Sequence, residues 1–89
     1  MTQRTVTIVN KLGMHARPSA MLVTEASRYA SEVWLTKNGA RVNGKSIMGV
    51  MMLAAEKGSQ ILVEVIGPDE EAALAALIKV IESGFGEEI

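Results

Sequence analysis

The stretch GMHARP, residues 13–18, contains the only histidine of an 89-residue chain that has no cysteine. Pro18 fits into a helix only in the first turn, where its missing N–H group is not needed. A helix is therefore predicted to start at His15 and to continue to about Tyr29, and Gly13 lets the chain turn into it. His15 then lies at the cap of this helix, outside its apolar stripe, so its ring is expected to be exposed.

Two periodicities divide the rest of the sequence. Alternating and β-branched residues predict four strands, at 5–9, 32–36, 40–43 and 60–66. Helical spacing of apolar residues predicts two further helices, at 47–53 and 70–82, with Ser46 and Asp69 as their N-caps. Asn38-Gly39 is typical of a two-residue type I′ hairpin. Gly84 is expected to end the last helix, and residues 85–89 are expected to fray.

The order of these elements predicts the fold class. It reads β-α-β-β-α-β-α, and each helix has one apolar stripe to bury. An α+β open-faced sandwich is expected, in which a four-stranded antiparallel sheet carries the helices on one face. The strand at 60–66 is rich in β-branched residues and is expected to be central.

Composition and charge exclude several classes of protein. Hydrophobic residues make up 48% of the chain, which is enough apolar surface for one modest core. A single domain spanning residues 1–89 is therefore expected. A net charge of −1 and one residue each of Trp, Tyr and Phe argue against nucleic-acid binding. The longest apolar run, residues 47–55, is far short of the roughly 20 residues of a membrane span. Residues 1–4 are polar, so a cytoplasmic protein without membrane insertion is expected.

The cap position of His15 suggests a chemical role. The free N–H groups of Ala16 and Arg17 at the helix start, together with the Arg17 guanidinium, can bind an anion. A neutral imidazole keeps a lone pair on one nitrogen and can attack a phosphoryl group. The sequence has no Walker loop, no evident acidic pair for magnesium and no second base. His15 is therefore interpreted as a carrier of phosphate that relies on partner proteins for catalysis, and not as part of an enzyme.

Two motifs, residues 13–18 and GKSIMGVM at residues 44–51, occur here together with this order of elements. In both respects the chain resembles the histidine-containing phosphocarrier (HPr) family of the bacterial phosphoenolpyruvate-dependent phosphotransferase system, over nearly its whole length. The resemblance implies phosphorylation of His15 on Nδ1, with Arg17 helping to bind and release the phosphoryl group. It further implies enzyme I as donor and EIIA proteins as acceptors. Leu12 stands where sugar-type carriers often have a small polar residue, so both sugar transport and the nitrogen-related branch stay open.

Ser46 has two compatible interpretations. As an N-cap it contributes about 1 kcal/mol to stability. The resemblance implies that it is also a target of an HPr kinase/phosphorylase, with a transcriptional regulator as a further partner. A phosphoserine adds about two negative charges, which would repel acidic partners that dock beside it.

The helix after Ser46 is apolar all round, although a short helix on a single sheet can bury only about half of its circumference. Helical spacing predicts that Val50 and Leu53 point inward; core packing of every apolar residue is the alternative. The resemblance implies that the exposed residues of this helix and of the first helix dock enzyme I and EIIA. The residues of this predicted docking face are Ala20, Thr24, Ile47, Met48 and Met51.

A second interpretation comes from a different class of protein. The chain would be a small α+β regulatory module in which His15 and Arg17 bind an anion without reacting with it. A metal site is not expected, because one histidine without cysteine provides too few ligands for zinc. No cofactor is expected, and the chain is expected to be a monomer.

Overall fold

The computed structural model describes residues 1–89. Its order of elements is the predicted β-α-β-β-α-β-α, followed by a short 3₁₀ turn. The elements are β1 (Thr2–Thr7), α1 (Ala16–Ala26), β2 (Glu32–Lys37), β3 (Ala40–Asn43), α2 (Ile47–Met52), β4 (Gln60–Ile66), α3 (Glu70–Glu82) and the 3₁₀ turn (Gly84–Gly86).

The four strands form one antiparallel sheet in the order β1-β4-β2-β3. The predicted central position of β4 is confirmed, since β4 pairs with both β1 and β2. Ile61, Val63 and Val65 of β4 are fully buried, whereas the two residues between them are half-buried. The helices cover one face of the sheet and the other face is open, which confirms the predicted open-faced α+β sandwich.

The β2–β3 connection is the predicted type I′ hairpin. Asn38 and Gly39 both have positive φ angles, 49° and 83°, as this turn requires at its two central positions. The register pairs Lys37 with Ala40 on either side of the turn. The hairpin therefore follows from local chemistry that is visible in the sequence.

The core lies between the sheet and the apolar faces of the helices. α3 packs on β1 and β4 and buries Leu77 and Ile81, and α1 buries Leu22 and Ala26 while packing against α2 and α3. At about 25 cal/mol per Å² of apolar surface removed from water, this burial is the main stabilising term of the fold. The apolar stripe predicted for the last helix is confirmed.

Several predicted boundaries are wrong by a few residues. The first strand is Thr2–Thr7 and not 5–9, because β4 begins at Gln60 and offers no ladder partner beyond Thr7. Ile8 instead bonds to the turn before β4, donating to the Ser59 carbonyl at 2.9 Å. α1 ends at Ala26, three residues before the predicted end, because its last turn tightens into i→i−3 hydrogen bonds. His15 is its N-cap, so the first helical residue is Ala16.

Asp69 takes the predicted N-cap position of α3, but its side chain does not cap the helix. Its carboxylate accepts hydrogen bonds from the Ala30 amide at 2.9 Å, from the Ser31 amide at 3.0 Å and from the Ser31 hydroxyl. These bonds, chiefly that of the Ser31 hydroxyl, lower the pKa of Asp69. The carboxylate therefore fixes the α1–β2 connection to the start of α3.

The expectation that residues 85–89 fray is wrong. The chain turns at Gly84, whose φ is +71°, as the expected helix stop requires. Phe85 then enters the core, with only 2% of its surface exposed. The Lys11 amide donates to the Glu88 carbonyl at 2.7 Å. The C-terminal segment, residues 84–89, is thus fixed against the loop between β1 and α1.

Candidate functional site

His15 lies at the end of a tight loop that the sequence around Gly13 produces. Gly13 has a φ of +68°, and a Cβ atom there would lie 2.6 Å from the Ala55 carbonyl oxygen, so only glycine fits. The next residue, Met14, is buried, and its amide donates to that same carbonyl at 2.7 Å. This anchoring leaves His15 at the N-cap of α1 with no capping bond from its side chain, which is 38% exposed.

The start of α1 has few N–H groups to offer. The first i→i−4 hydrogen bond runs from the Ser19 amide to the His15 carbonyl at 3.1 Å, and Pro18 has no N–H. Only the amides of Ala16 and Arg17 therefore lie in the first turn without a helical acceptor. These are the two amides that the sequence predicts as phosphate ligands.

The His15 ring contacts a residue that the sequence did not predict for the site. Nε2 lies 3.0 Å from both carboxylate oxygens of Glu87, whose side chain is 16% exposed. The hydrogen bond with His15 is the largest cause that lowers the pKa of Glu87, and the bond from Asn10 and the charge of Arg17 lower it further. An ionised carboxylate only accepts hydrogen bonds, so Nε2 carries the proton and the neutral ring has its lone pair on Nδ1.

Sequence reasoning missed Glu87 because the segment that holds it shows no periodicity. The available signal was Phe85, an aromatic residue between two glycines in an otherwise polar tail. Such a residue is more often buried than exposed. It indicated that the chain end returns to the core, but not which loop the end would reach.

Arg17 is exposed, and its charge lies near enough to Glu87 to help lower the pKa of that carboxyl. Its side chain forms no ion pair, and it lines a shallow groove between α1 and α3. The predicted docking residues Ala20 and Thr24 line the same groove, together with Met21 and Val80. The structure thus brings Arg17, Ala20 and Thr24 together on one surface.

The remaining predicted site residues lie at α2. The Ser46 hydroxyl accepts a hydrogen bond from the Gly49 amide at 3.1 Å, which confirms its N-cap role. Val50 and Leu53 are buried, as predicted, and the three residues predicted to face outward do so. Their exposed fractions are 45% for Ile47, 71% for Met48 and 39% for Met51. Met52, which is not among the predicted docking residues, is 78% exposed.

No three or more His, Asp or Glu side chains lie close enough together to hold a metal ion. No helix combines the length and the hydropathy needed to cross a membrane.

Comparison with known proteins identifies the class to which this fold and site belong. Residues 2–83 match the family described as "PTS HPr component phosphorylation site". The phosphocarrier protein HPr of Neisseria meningitidis serogroup A is 54% identical over 87 residues, 98% of each chain. A crystal structure of HPr-C-His from Thermoanaerobacter tengcongensis superposes with a TM-score of 0.96 and 46% identity over the full length of both chains. An HPr dimer from the same organism has a TM-score of 0.79 at 46% identity, covering 98% of this chain and 100% of that one.

The chain belongs to the HPr family of phosphocarrier proteins of the phosphotransferase system. The resemblance seen in the two sequence motifs is therefore confirmed, and so is the fold that it implied. Its general role is to carry a phosphoryl group as an intermediate in a relay.

Proposed function

We propose that His15 carries the phosphoryl group on Nδ1 and that Arg17 and the amides of Ala16 and Arg17 bind the phosphoryl oxygens. One observation carries this proposal: Nε2 of the half-exposed ring is engaged by an ionised carboxylate, which leaves the lone pair on Nδ1. The two amides of the first helical turn and the unpaired guanidinium offer charge-assisted hydrogen bonds to an anion beside the ring.

The proposed donor is phospho-enzyme I, and the proposed acceptors are EIIA proteins, which with enzyme I provide the catalysis. The carrier itself is a cytoplasmic monomer whose single domain spans residues 1–89. Light scattering tests the monomer. A mass of twice 9.5 kDa at micromolar concentration would instead match the dimer known for the Thermoanaerobacter protein.

Covalent labelling tests the carrier function. The chain is incubated with enzyme I and phosphoenolpyruvate labelled on its phosphoryl group. The expected product is an acid-labile, base-stable adduct that His15→Ala abolishes. Arg17→Ala should still accept the label, but more slowly. A chain that takes up no label from a compatible enzyme I is an anion-binding module and not a carrier.

The docking surface is proposed to comprise Ala20, Thr24, Ile47, Met48 and Met51. Met48→Glu is expected to slow phosphoryl transfer from enzyme I, because a charge replaces an exposed apolar contact. Stability should change by no more than about 0.5 kcal/mol, as is usual for surface substitutions. Ile66→Glu also replaces an exposed apolar residue by a charge, but on the open sheet face, and is the matched control. Equal slowing by both variants would contradict this surface.

Ser46 is proposed as a regulatory phosphorylation site for an HPr kinase/phosphorylase, with a transcriptional regulator as a further partner of the modified form. Its hydroxyl lies at the N-cap of α2, beside the exposed Ile47 and Met48. Ser46→Asp is expected to slow transfer from enzyme I. Gln60→Glu adds one negative charge on the open sheet face and should leave the transfer rate unchanged. Unchanged transfer in the Ser46→Asp variant counts against electrostatic regulation at this site.

We propose that the EIIA protein that accepts the phosphoryl group decides whether the carrier serves sugar transport or the nitrogen-related branch. Leu12 lies in the loop that precedes α1 and is 72% exposed, so it makes the surface beside His15 more apolar. A competition between a sugar-type EIIA and a nitrogen-type EIIA for phosphoryl groups from the labelled carrier assigns the branch.

A further inference from the structure

The C-terminal segment, residues 84–89, is attached at several points to the loop between β1 and α1, residues 8–15. Phe85 is buried in the core, and the Glu87 amide donates to the Gly84 carbonyl at 3.0 Å. Lys11 bonds to Glu88 twice, through its amide at 2.7 Å and through its ammonium at 3.3 Å. The Glu87 side chain is therefore presented to the ring by an ordered backbone.

Asn10 fixes the Glu87 carboxylate relative to the loop. Its side chain is fully buried, and its Nδ2 donates both to the Gly13 carbonyl at 2.7 Å and to Glu87 Oε1 at 3.1 Å. Its Oδ1 has no partner. The reverse orientation of the amide would place this oxygen against two acceptors, so the two donated bonds determine the orientation. The same amide thus holds both the loop carbonyl and the carboxylate that faces the ring.

The carboxylate affects the chemistry of the ring in two ways. It keeps the proton on Nε2, so that the lone pair of the neutral ring is on Nδ1. It also lies beside the positive charge that the ring gains as Nδ1 bonds to phosphorus. In that step the Nδ1 lone pair forms the N–P bond, the bond between phosphorus and the donor atom breaks, and the donor keeps that electron pair. The ring proton stays on Nε2, hydrogen-bonded to Glu87.

We propose that Glu87, held by Asn10, is a positioning residue for phosphoryl transfer at His15: it fixes the Nε2–H tautomer and orients Nδ1 toward the phosphoryl group. The proposal rests on the proposed function of His15. Glu88 offers a matched comparison, because it is the next residue, carries the same charge and pairs with Lys11 at the surface and not with the ring.

The first test is the tautomer of the unphosphorylated chain, which needs no partner protein. Because His15 is the only histidine, the ¹⁵N resonances of an imidazole-labelled sample belong to this ring alone. At a pH where the ring is neutral, the unaltered chain and Glu88→Ala should show the Nε2–H form nearly alone. In Glu87→Ala the two nitrogen shifts should move toward each other, as the Nδ1–H form becomes populated.

The second test is the rate of transfer from phospho-enzyme I. Glu87→Ala is expected to lower the rate about tenfold. Losses of about this size occur in metalloproteins when the carboxylate that orients a metal-binding histidine is removed. Glu88→Ala should leave it unchanged. Glu87→Gln keeps an oxygen that can accept from Nε2–H and should recover part of the rate and the tautomer. Circular dichroism confirms that each variant is folded at the assay temperature.

The two proposals fail in different ways. If the unaltered chain takes up no label from enzyme I, the proposed function fails. If it is labelled normally but Glu87→Ala has the tautomer and transfer rate of the unaltered chain, the role of Glu87 is overturned. A rate loss of equal size in the Glu87 and Glu88 variants, without a change of tautomer, overturns it as well.

Discussion

The Phe85→Ala variant measures how much the packing of the C-terminal segment contributes to the free energy of unfolding. The Phe85 side chain is 2% exposed and packs in the main apolar cluster. Replacing such a buried aromatic residue by alanine costs about 3–5 kcal/mol. The φ angle of +57° is unfavourable for phenylalanine and alanine alike, so the backbone strain is nearly the same in both chains. The expected loss therefore comes from the side chain alone.

Urea unfolding monitored by circular dichroism is the assay. With a slope of about 1–3 kcal/mol per molar, the urea midpoint of Phe85→Ala should fall by at least about 1 M. Ile89→Ala is the control, because Ile89 lies in the same segment but is 63% exposed. It should cost no more than about 0.5 kcal/mol. If Phe85→Ala costs as little as this control, the segment frays in solution and is not part of the core.

Three further predictions concern the loop, the α2 cap and the α3 start. Gly13→Ala should lower stability by more than about 1 kcal/mol, because the left-handed φ is strained and the new Cβ would meet a backbone carbonyl; an unchanged thermal midpoint contradicts this. Ser46→Ala should cost about 1 kcal/mol and Ser46→Asn much less, since asparagine also caps; equal losses argue against the cap. Asp69 has a lowered pKa, so its stabilisation is complete above the unfolded-state pKa and is lost as the pH falls through the lower folded-state pKa. Ser31→Ala should raise this pKa in a ¹³C titration, and an unmoved curve refutes the assignment.

The parts of the fold that follow from local chemistry were predictable from the sequence. Asn38-Gly39 requires positive φ angles at two adjacent positions, and Pro18 restricts the helix start to a single turn. The inward position of Val50 follows from helical spacing. In contrast, the end of β1 depends on where β4 begins, and no pattern within residues 5–9 contains that information.

The candidate site was predictable only in part for the same reason. His15, Ala16 and Arg17 lie within three residues, so one motif brings them together. Glu87 reaches the ring across a sequence separation of 72 residues, and Asn10 reaches Glu87 across 77. Such contacts depend on the path of the whole chain. Asp69 likewise looked like an N-cap by position, but Ser31, 38 residues away, competes for its carboxylate.

The strand order β1-β4-β2-β3 has a consequence for how the chain acquires its structure during synthesis. β1 pairs only with β4, so the first strand has no sheet partner until residues 60–66 have left the ribosome. The β2–β3 hairpin, with its two-residue turn, can form much earlier, because nearby contacts require less loop closure. The edge of β1 that pairs with β4 is therefore unpaired while more than half of the chain is made, and an unpaired strand edge of this kind favours aggregation of the nascent protein.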